Sequence, residues 1–296
     1  MKIVNISEHR AKSLRRYDVK CINTEAFLYY FSMKKKWITE DKIFKQFFIN
    51  YGIDFSNKMY TINSLIDYKD EINISELVIP DCLVSINSKI EGYAMDLING
   101  INLSQIIYNT KISIKDKIEL LKQISDVLIK MEHVRKYTSV NDFFIGDIHE
   151  DNIMVDSNKK IKIIDLDSCK ILNNLSSPTR YLQSLKRKGI IIHNKYDIDK
   201  INPDIIKPNE QTDYYCLIIL LLNTLYQENI TKLDMKDFYL YLEFLKSIEI
   251  NKELIDNFNN LYTCKPNQNI GFLLDSIGDE AYQAHHKIFK LKTRNF

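Results

Sequence analysis

The sequence predicts an α+β protein, with a small strand-rich part followed by a larger, mostly helical one. Three observations carry that expectation. The first hundred residues hold short runs of aromatic and β-branched residues bounded by turns. A long amphipathic pattern opens near Ser113. From Thr212 onward, apolar residues recur at helical spacing. The expected boundary lies near Met95–Gly100, which divides the chain into parts spanning 1–97 and 98–296.

Taken in order, Ala26–Phe31 and Lys42–Phe48 read as strands. Phe55–Asp67 carries Met59, Ile62, Leu65 and Ile66 at helical spacing. Glu76–Pro80, Cys82–Ile86 and Ile90–Met95 again read as strands, and Asn87-Ser-Lys supplies a turn between the last two. Pro80 suits a strand edge, where its missing N–H does least harm. Ile118, Leu121, Ile124, Leu128 and Met131 mark a helix over Ser113–Lys136. Asn152–Val155 and Ile161–Asp165 are joined by the polar turn Asp156–Lys160, which is a hairpin signal. Helices are expected over Thr212–Glu228, Met235–Ser247, Asn251–Tyr262 and Ala281–Lys290. Asn173–Pro208 is the least periodic stretch and reads as irregular.

Composition narrows the function classes. The 296 residues include 41 Lys plus Arg against 39 Asp plus Glu, so the net charge of +2 excludes a strongly basic nucleic-acid binder and an acidic tail protein. A hydrophobic content of 45% with 27% charged residues is ordinary for a globular chain long enough to bury a proper core. Cys21, Cys82, Cys169, Cys216 and Cys264 are scattered and odd in number, without Cys-x-x-Cys spacing, so reduced thiols are expected rather than structural zinc or a disulfide framework. Met1–Lys20 is polar and basic, unlike a signal peptide. The apolar run Cys216–Leu222 falls well short of the ~20 residues of a membrane span and reads as a buried helix. The expected location is the cytoplasm, without membrane or nucleic-acid partners. Lys34-Lys-Lys36 beside Trp37 reads as a solvated hairpin tip, and His285-His286 as a solvated helix face.

The chemistry-bearing stretch is Phe143-Phe-Ile-Gly-Asp147-Ile-His149-Glu-Asp-Asn152, followed by Ile163-Ile-Asp165-Leu-Asp167. A carboxylate and a carboxamide five residues apart precede one strand of the hairpin, and a second carboxylate ends the other. The hairpin lets Asn152 and Asp165 converge, and such oxygen ligands suit Mg²⁺ completed by water and phosphate. Asp147 is left to orient an attacking hydroxyl and accept its proton, a division of labour that phosphoryl transfer needs.

Asp147-x4-Asn152 followed by Asp165-Leu-Asp167 resembles the catalytic loop and metal motif of the protein-kinase-like superfamily, and the wider chain resembles a divergent bacterial (Firmicutes-type) relative of eukaryotic-like Ser/Thr protein kinases. Tyr93-Ala-Met95-Asp-Leu-Ile98 resembles the last strand of the N-lobe and the hinge. Thr212-Asp213 resembles the start of the buried helix whose Asp anchors the catalytic loop, and Asn202-Pro203-Asp204 resembles the end of the activation segment. The resemblance implies a two-lobed fold: a small antiparallel-sheet N-lobe over 1–97 and a helical C-lobe over 98–296. It implies ATP and Mg²⁺ in the cleft and a protein substrate, with autophosphorylation at Ser176, Ser177 or Thr179 as an option. In its terms Lys45, or else Lys42, holds phosphates. Met95, Asp96, Ile98, Met154 and Ile164 meet the nucleotide, Asn152 and Asp165 hold metal, and Asp147 and His149 act at the reacting groups.

Several residues depart from the family pattern. No glycine precedes Gly52, so Ile22–Ala26 stands where a Gly-rich loop is expected. Asn57-Lys58 stands where the family carries a helix glutamate that pairs with the lysine of the third strand. Ile145-Gly146 replaces His-Arg ahead of Asp147. His149 replaces a lysine, as in aminoglycoside phosphotransferase-like enzymes, and the surrounding carboxylates favour its protonated form. These departures keep two alternatives in view: a pseudokinase acting as a nucleotide-binding or interaction module, and a small-molecule kinase of the aminoglycoside type. Without the arginine, a phosphomimetic substitution in the activation segment is expected to change activity less than about tenfold, a margin of ~1.4 kcal/mol in the barrier.

Overall fold

The computed structural model describes residues 2–17, 26–35, 38–174, 184 and 207–247. The expected helices Asn251–Tyr262 and Ala281–Lys290, most of Asn173–Pro208, residues 22–25, Trp37, Pro203, the three candidate phosphoacceptors, the His285-His286 pair, Cys21 and Cys264 lie outside the described residues.

The first part is built from β1 (Ile3–Ile6), α1 (Glu8–Lys12), β2 (Ala26–Lys35), β3 (Ile38–Phe47), α2 (Gly52–Asp67), α3 (Lys69–Ile72), β4 (Cys82–Ile86) and β5 (Lys89–Asp96). The strands form one mixed sheet in the order β1-β4-β5-β3-β2. β2 and β3 pair antiparallel from Ala26↔Phe47 to Lys35↔Ile38. Asn87 and Ser88, with φ of 49° and 68°, turn β4 into β5 through the tight left-handed geometry that matches strand twist. Gly92 on β5 has no side chain because a Cβ there would lie 1.9 Å from the Lys45 carbonyl oxygen. Strand alternation sorts the side chains onto two faces. Ile43, Phe47, Leu83, Tyr93 and Met95 pack with Met59 and Ile62 of α2. Phe31, Phe44, Cys82, Val84 and Ala94 pack on the opposite face with Ile6 of β1, and with Ala11 of α1.

The second part contains β6 (Gly100–Asn102), α4 (Ser104–Ile107), α5 (Ile114–Tyr137), β7 (Phe143–Phe144), β8 (Ile153–Asp156), β9 (Ile161–Ile163), β10 (Lys170–Ile171), α6 (Glu210–Tyr226) and α7 (Met235–Ser247). The start of α5 is set by Ser113, whose hydroxyl oxygen accepts from the Asp116 N–H at 3.0 Å. Asn209 and Thr212 form a reciprocal capping box at the start of α6. Every residue from Thr212 to Tyr226 is buried, as expected of a helix that is apolar all round. Two of its buried polar side chains are satisfied locally: Asn223 Oδ1 accepts from the Ile230 N–H at 2.9 Å, and the Thr224 hydroxyl donates to the Leu220 carbonyl at 2.7 Å. No helix among the described residues is long and apolar enough to cross a membrane.

Two local expectations need correction. Glu76–Pro80 is not a strand: it makes one bridge, Leu77↔Ile163, flanked by two backbone hydrogen bonds. Apolar content alone does not make a strand where Pro80 removes a donor and no partner ladder continues. Ile3–Ile6, read only as part of a polar N-terminus, is an edge strand parallel to β4. Its partner lies about eighty residues downstream, so local pattern carries no trace of it.

Lys117 in the first turns of α5 is fully buried, and its ammonium has no hydrogen-bond partner among the described residues. Burial pulls its pKa down to about 8 from an ordinary 10.5. Between those values the unfolded chain holds a proton that the folded chain has released, so this group makes stability rise with pH across that window. Lys117→Met is therefore expected to stabilise the fold at pH 7 by about 1–3 kcal/mol, the usual cost of an unsatisfied buried donor. Urea denaturation at pH 7 and pH 10 checks this, and a variant no more stable than wild type at pH 7 contradicts it.

Candidate functional site

Lys45 lies on β3, on the sheet face that meets α2, and is 2% exposed. It forms an ion pair with Asp165 Oδ1 and another with Asp167 Oδ2, the latter at 2.7 Å. Burial opposes its charge, but Asp165 and Asp167 outweigh that and hold the ammonium well above the ordinary lysine range. Lys42, three residues earlier, points to the other face, as strand alternation requires. It pairs there with Asp81 and Asp96 at 2.6 Å each and with Glu40 at 3.1 Å. Of the two candidate lysines, only Lys45 reaches the Asp165 segment.

Asp165 and Asp167 bracket Leu166 at a single 3-10 turn spanning Leu166–Ser168. Asp165 adopts φ 63° and ψ 48°, a left-handed conformation that Asp tolerates better than most residues. Its side chain is 31% exposed, whereas that of Asp167 is 2% exposed. Asp167 Oδ2 also accepts from the Tyr93 hydroxyl at 3.4 Å, and its Oδ1 accepts from the Ser168 hydroxyl at 3.2 Å. Lys58 of α2 lies 3.8 Å from Asp167 Oδ1. Burial works against the Asp167 charge, but Lys45 and Lys58 prevail and lower its pKa to about 2. Burial, with the neighbouring Asp167 charge, pushes Asp165 up against the pull of Lys45.

The loop before β8 is fixed from below. Asp213, near the start of α6, accepts the backbone N–H groups of Ile145 at 2.8 Å and Gly146 at 2.7 Å. This is the anchoring expected of it. Gly146 has φ +76°, and a Cβ there would lie 2.3 Å from Pro208 Cγ. Position 146 therefore has no room for a side chain while Pro208 keeps its place.

Asn152 donates from Nδ2 to the Asp147 carbonyl at 3.1 Å and to Asp147 Oδ2 at 3.3 Å. That orientation leaves its Oδ1 free of the contacts to Asp147. The Asn152 carbonyl accepts from the Ile164 N–H at 2.9 Å, extending the β8–β9 ladder so that Asn152 and the Ile164–Asp165 step share one end of the hairpin. Among the described residues, no group of three or more His, Cys, Asp or Glu side chains is placed to hold a metal ion. A carboxamide with one carboxylate still fits Mg²⁺, which takes most of its ligands from water and phosphate.

His149 caps the 3-10 turn Glu150–Asn152. Its Nδ1 accepts from the Asp151 N–H at 3.2 Å, which puts the ring proton on Nε2, 3.5 Å from Asp147 Oδ2. Burial disfavours a second proton, but Asp147, Glu150 and Asp151 outweigh it and move the pKa up. A proton on Nδ1 would also break the cap, so His149 is committed first to its loop. The buried Glu150 accepts from the Tyr108 hydroxyl at 2.5 Å and from Asn229 Nδ2 at 3.3 Å.

Three of the remaining expected nucleotide contacts, Met95, Ile98 and Ile164, belong to one apolar patch. Met95 belongs to the cluster of Ala26, Ile43 and Tyr93, against which Ile98 and Ile164 pack. Met154 is buried on β8. Asp96 ends β5 with its side chain directed to Lys42. The sequence reading included Asp167 in the motif without a settled role of its own, noted Lys58 only as standing where a helix glutamate is expected, and did not foresee Tyr108 on the loop. Asp-Leu-Asp spacing was the available signal for Asp167, since a turn between two acidic residues brings both toward one cation.

Compared with known proteins, the chain matches no family model and no curated protein.

Gly146→Ala is expected to destabilise the fold by about 2–4 kcal/mol, combining the ~1–2 kcal/mol of a left-handed non-glycine residue with overpacking against Pro208. Chemical denaturation reads this directly, and an unchanged midpoint would mean that the close Gly146–Pro208 approach does not constrain the loop.

Proposed function

We propose that the chain is a two-lobed, protein-kinase-like phosphotransferase that moves the γ-phosphoryl group of ATP to a protein serine or threonine hydroxyl. The observation that carries this reading is the ion pair between Lys45 and Asp165, formed between an apolar patch suited to a purine and a loop that presents Asp147. A buried lysine steadies phosphates, a partly exposed carboxylate beside it can turn to metal, and a second carboxylate on an anchored loop stands apart from both. That is the equipment for positioning and charge neutralisation on which phosphoryl transfer depends.

In this reading Met95, Ile98, Met154 and Ile164 enclose the base, and the backbone at Asp96 and Ile98 meets its edge. Asn152 Oδ1 and Asp165 hold Mg²⁺, which supplies charge neutralisation of the phosphates. Asn152 Nδ2 and the Nε2–H of His149 face Asp147 Oδ2 and fix the orientation of that carboxylate. Asp147 orients the acceptor hydroxyl and takes its proton as the oxygen–phosphorus bond forms and the bond to the leaving ADP breaks. Asp213 keeps the loop in place through its two backbone acceptor contacts.

ATP turnover by the wild type and by Asp147→Ala, with protein and small-hydroxyl acceptors in parallel, tests this reading. The variant is expected to lose about 100- to 10,000-fold in kcat, the usual contribution of a positioned general base. Equal background rates favour a nucleotide-binding module, and turnover confined to small hydroxyl compounds favours the aminoglycoside-type alternative.

A further inference from the structure

We infer that Asp167 is the positioning carboxylate for Lys45, and that α2 supplies a second phosphate-binding cation, Lys58, in place of a carboxylate. This rests on the phosphotransferase reading and assigns roles that the reading leaves open. Lys45 takes both its carboxylate partners from residues 165 and 167 rather than from α2. The two are not equivalent. Both oxygens of Asp167 are engaged, by Lys45 and Tyr93 on one and by Ser168 and Lys58 on the other, and the side chain is 2% exposed. Asp165 is 31% exposed and sits in the less favourable backbone region. Asp165 is thus the partner that exchanges, and Asp167 the one that stays.

The charge count supports the same division. Lys45, Lys58, Asp165 and Asp167 sum to zero as they stand. When Asp165 turns to a cation, two ammonium groups face the single carboxylate of Asp167, which leaves one positive charge for a phosphate. The two ammonium groups occupy one neighbourhood: Lys45 Nζ lies 5.6 Å and Lys58 Nζ 5.4 Å from the centre of the Phe47 ring. The tether for Lys45 then lies on the turn after β9, and α2 acts on the phosphates instead.

The test moves the carboxylate across the site in the full-length chain. Asp167→Asn, Lys58→Glu and the double variant are compared by urea midpoint, by ADP affinity in titration calorimetry, and by kcat and KM for ATP. Asp167→Asn is expected to lower kcat at least tenfold and to reduce the urea midpoint. The double variant, with a carboxylate restored from α2, is expected to regain most of both, while Lys58→Glu alone weakens ADP binding severalfold or more. A double variant no better than Asp167→Asn, or a near-normal Asp167→Asn, overturns the proposal. If Asp167→Asn alone does not fold, a folded double variant supports the proposal and an unfolded one overturns it. Failure of the wild type to bind ADP or turn over ATP sinks the phosphotransferase reading separately, and the urea midpoints still decide whether residue 58 can replace Asp167 as the partner of Lys45.

Discussion

A lysine ammonium that is 2% exposed must be neutralised where it lies, because an unpaired buried charge costs several kcal/mol. In this chain the neutralising groups for Lys45 come from a turn 120 residues away. The requirement therefore ties β3 to the turn after β9. It also sets what surrounds them. Tyr93 lies opposite Lys45 in the β3–β5 ladder and reaches the same carboxylate, and Gly92 beside it lets β5 approach the Lys45 carbonyl. α2 packs against the turn and presents Lys58 to its acidic side. Removal of Lys45 would leave Lys58, 3.8 Å from Asp167, as the nearest described cation to offset the two carboxylates, so the charge of Lys45 holds the geometry of the site.

The contrast between Lys42 and Lys45 shows how far local rules go. Three residues along a strand reverse the side chain's direction, so only one of the pair can serve the face toward α2. That argument needs no structure. Which lysine faces which way does need it, and Phe44 settles the matter by packing among Phe31, Cys82 and Val84 on the far side. Lys42 is then occupied by three carboxylates, including that of Asp96 at the end of β5. Burial opposes its charge, yet the hydrogen bonds it donates to Asp81, Asp96 and Glu40 hold its pKa above the ordinary value. A second buried cation thus fastens the end of β5 to β3 and to the chain entering β4, on the side away from Lys45.

Legibility in the sequence followed the range of the interaction. The helix Met235–Ser247 and the strand Cys82–Ile86 were read to the residue, and Ser113 marked the start of α5, because periodicity and capping are written within a few neighbouring positions. The hairpin that aligns Asn152 with Asp165 was legible for the same reason. β1 was not, since a parallel edge strand depends wholly on a distant partner. Glu76–Pro80 misled because it is apolar and extended yet finds only a single bridge. At the site, Asp147, Asn152 and Asp165 stood out through their spacing. The positions of Asp167 and Lys58 were marked too, but not their contacts, because those arise from one cation's need for a partner, visible only once β3, α2 and the turn are brought together.

The backbone at Asp165 shows how such a site can be both held and ready to change. A left-handed residue other than glycine costs about 1–2 kcal/mol and persists where its surroundings over-determine it. Here those surroundings are the β8–β9 ladder on one side, through the Ile164–Asn152 bond, and the fully engaged Asp167 on the other. The two fixed flanks leave Asp165 with little backbone freedom but a partly exposed carboxylate. Burial and the charge of Asp167 disfavour its ionised form, while Lys45 favours it, so the carboxylate is held by a balance rather than by a single strong partner. A change of partner at this carboxylate leaves the turn in place, because Lys45, Tyr93, Ser168 and Lys58 all engage Asp167. Of the two carboxylates, Asp165 is therefore the one with freedom to move and Asp167 the fixed one.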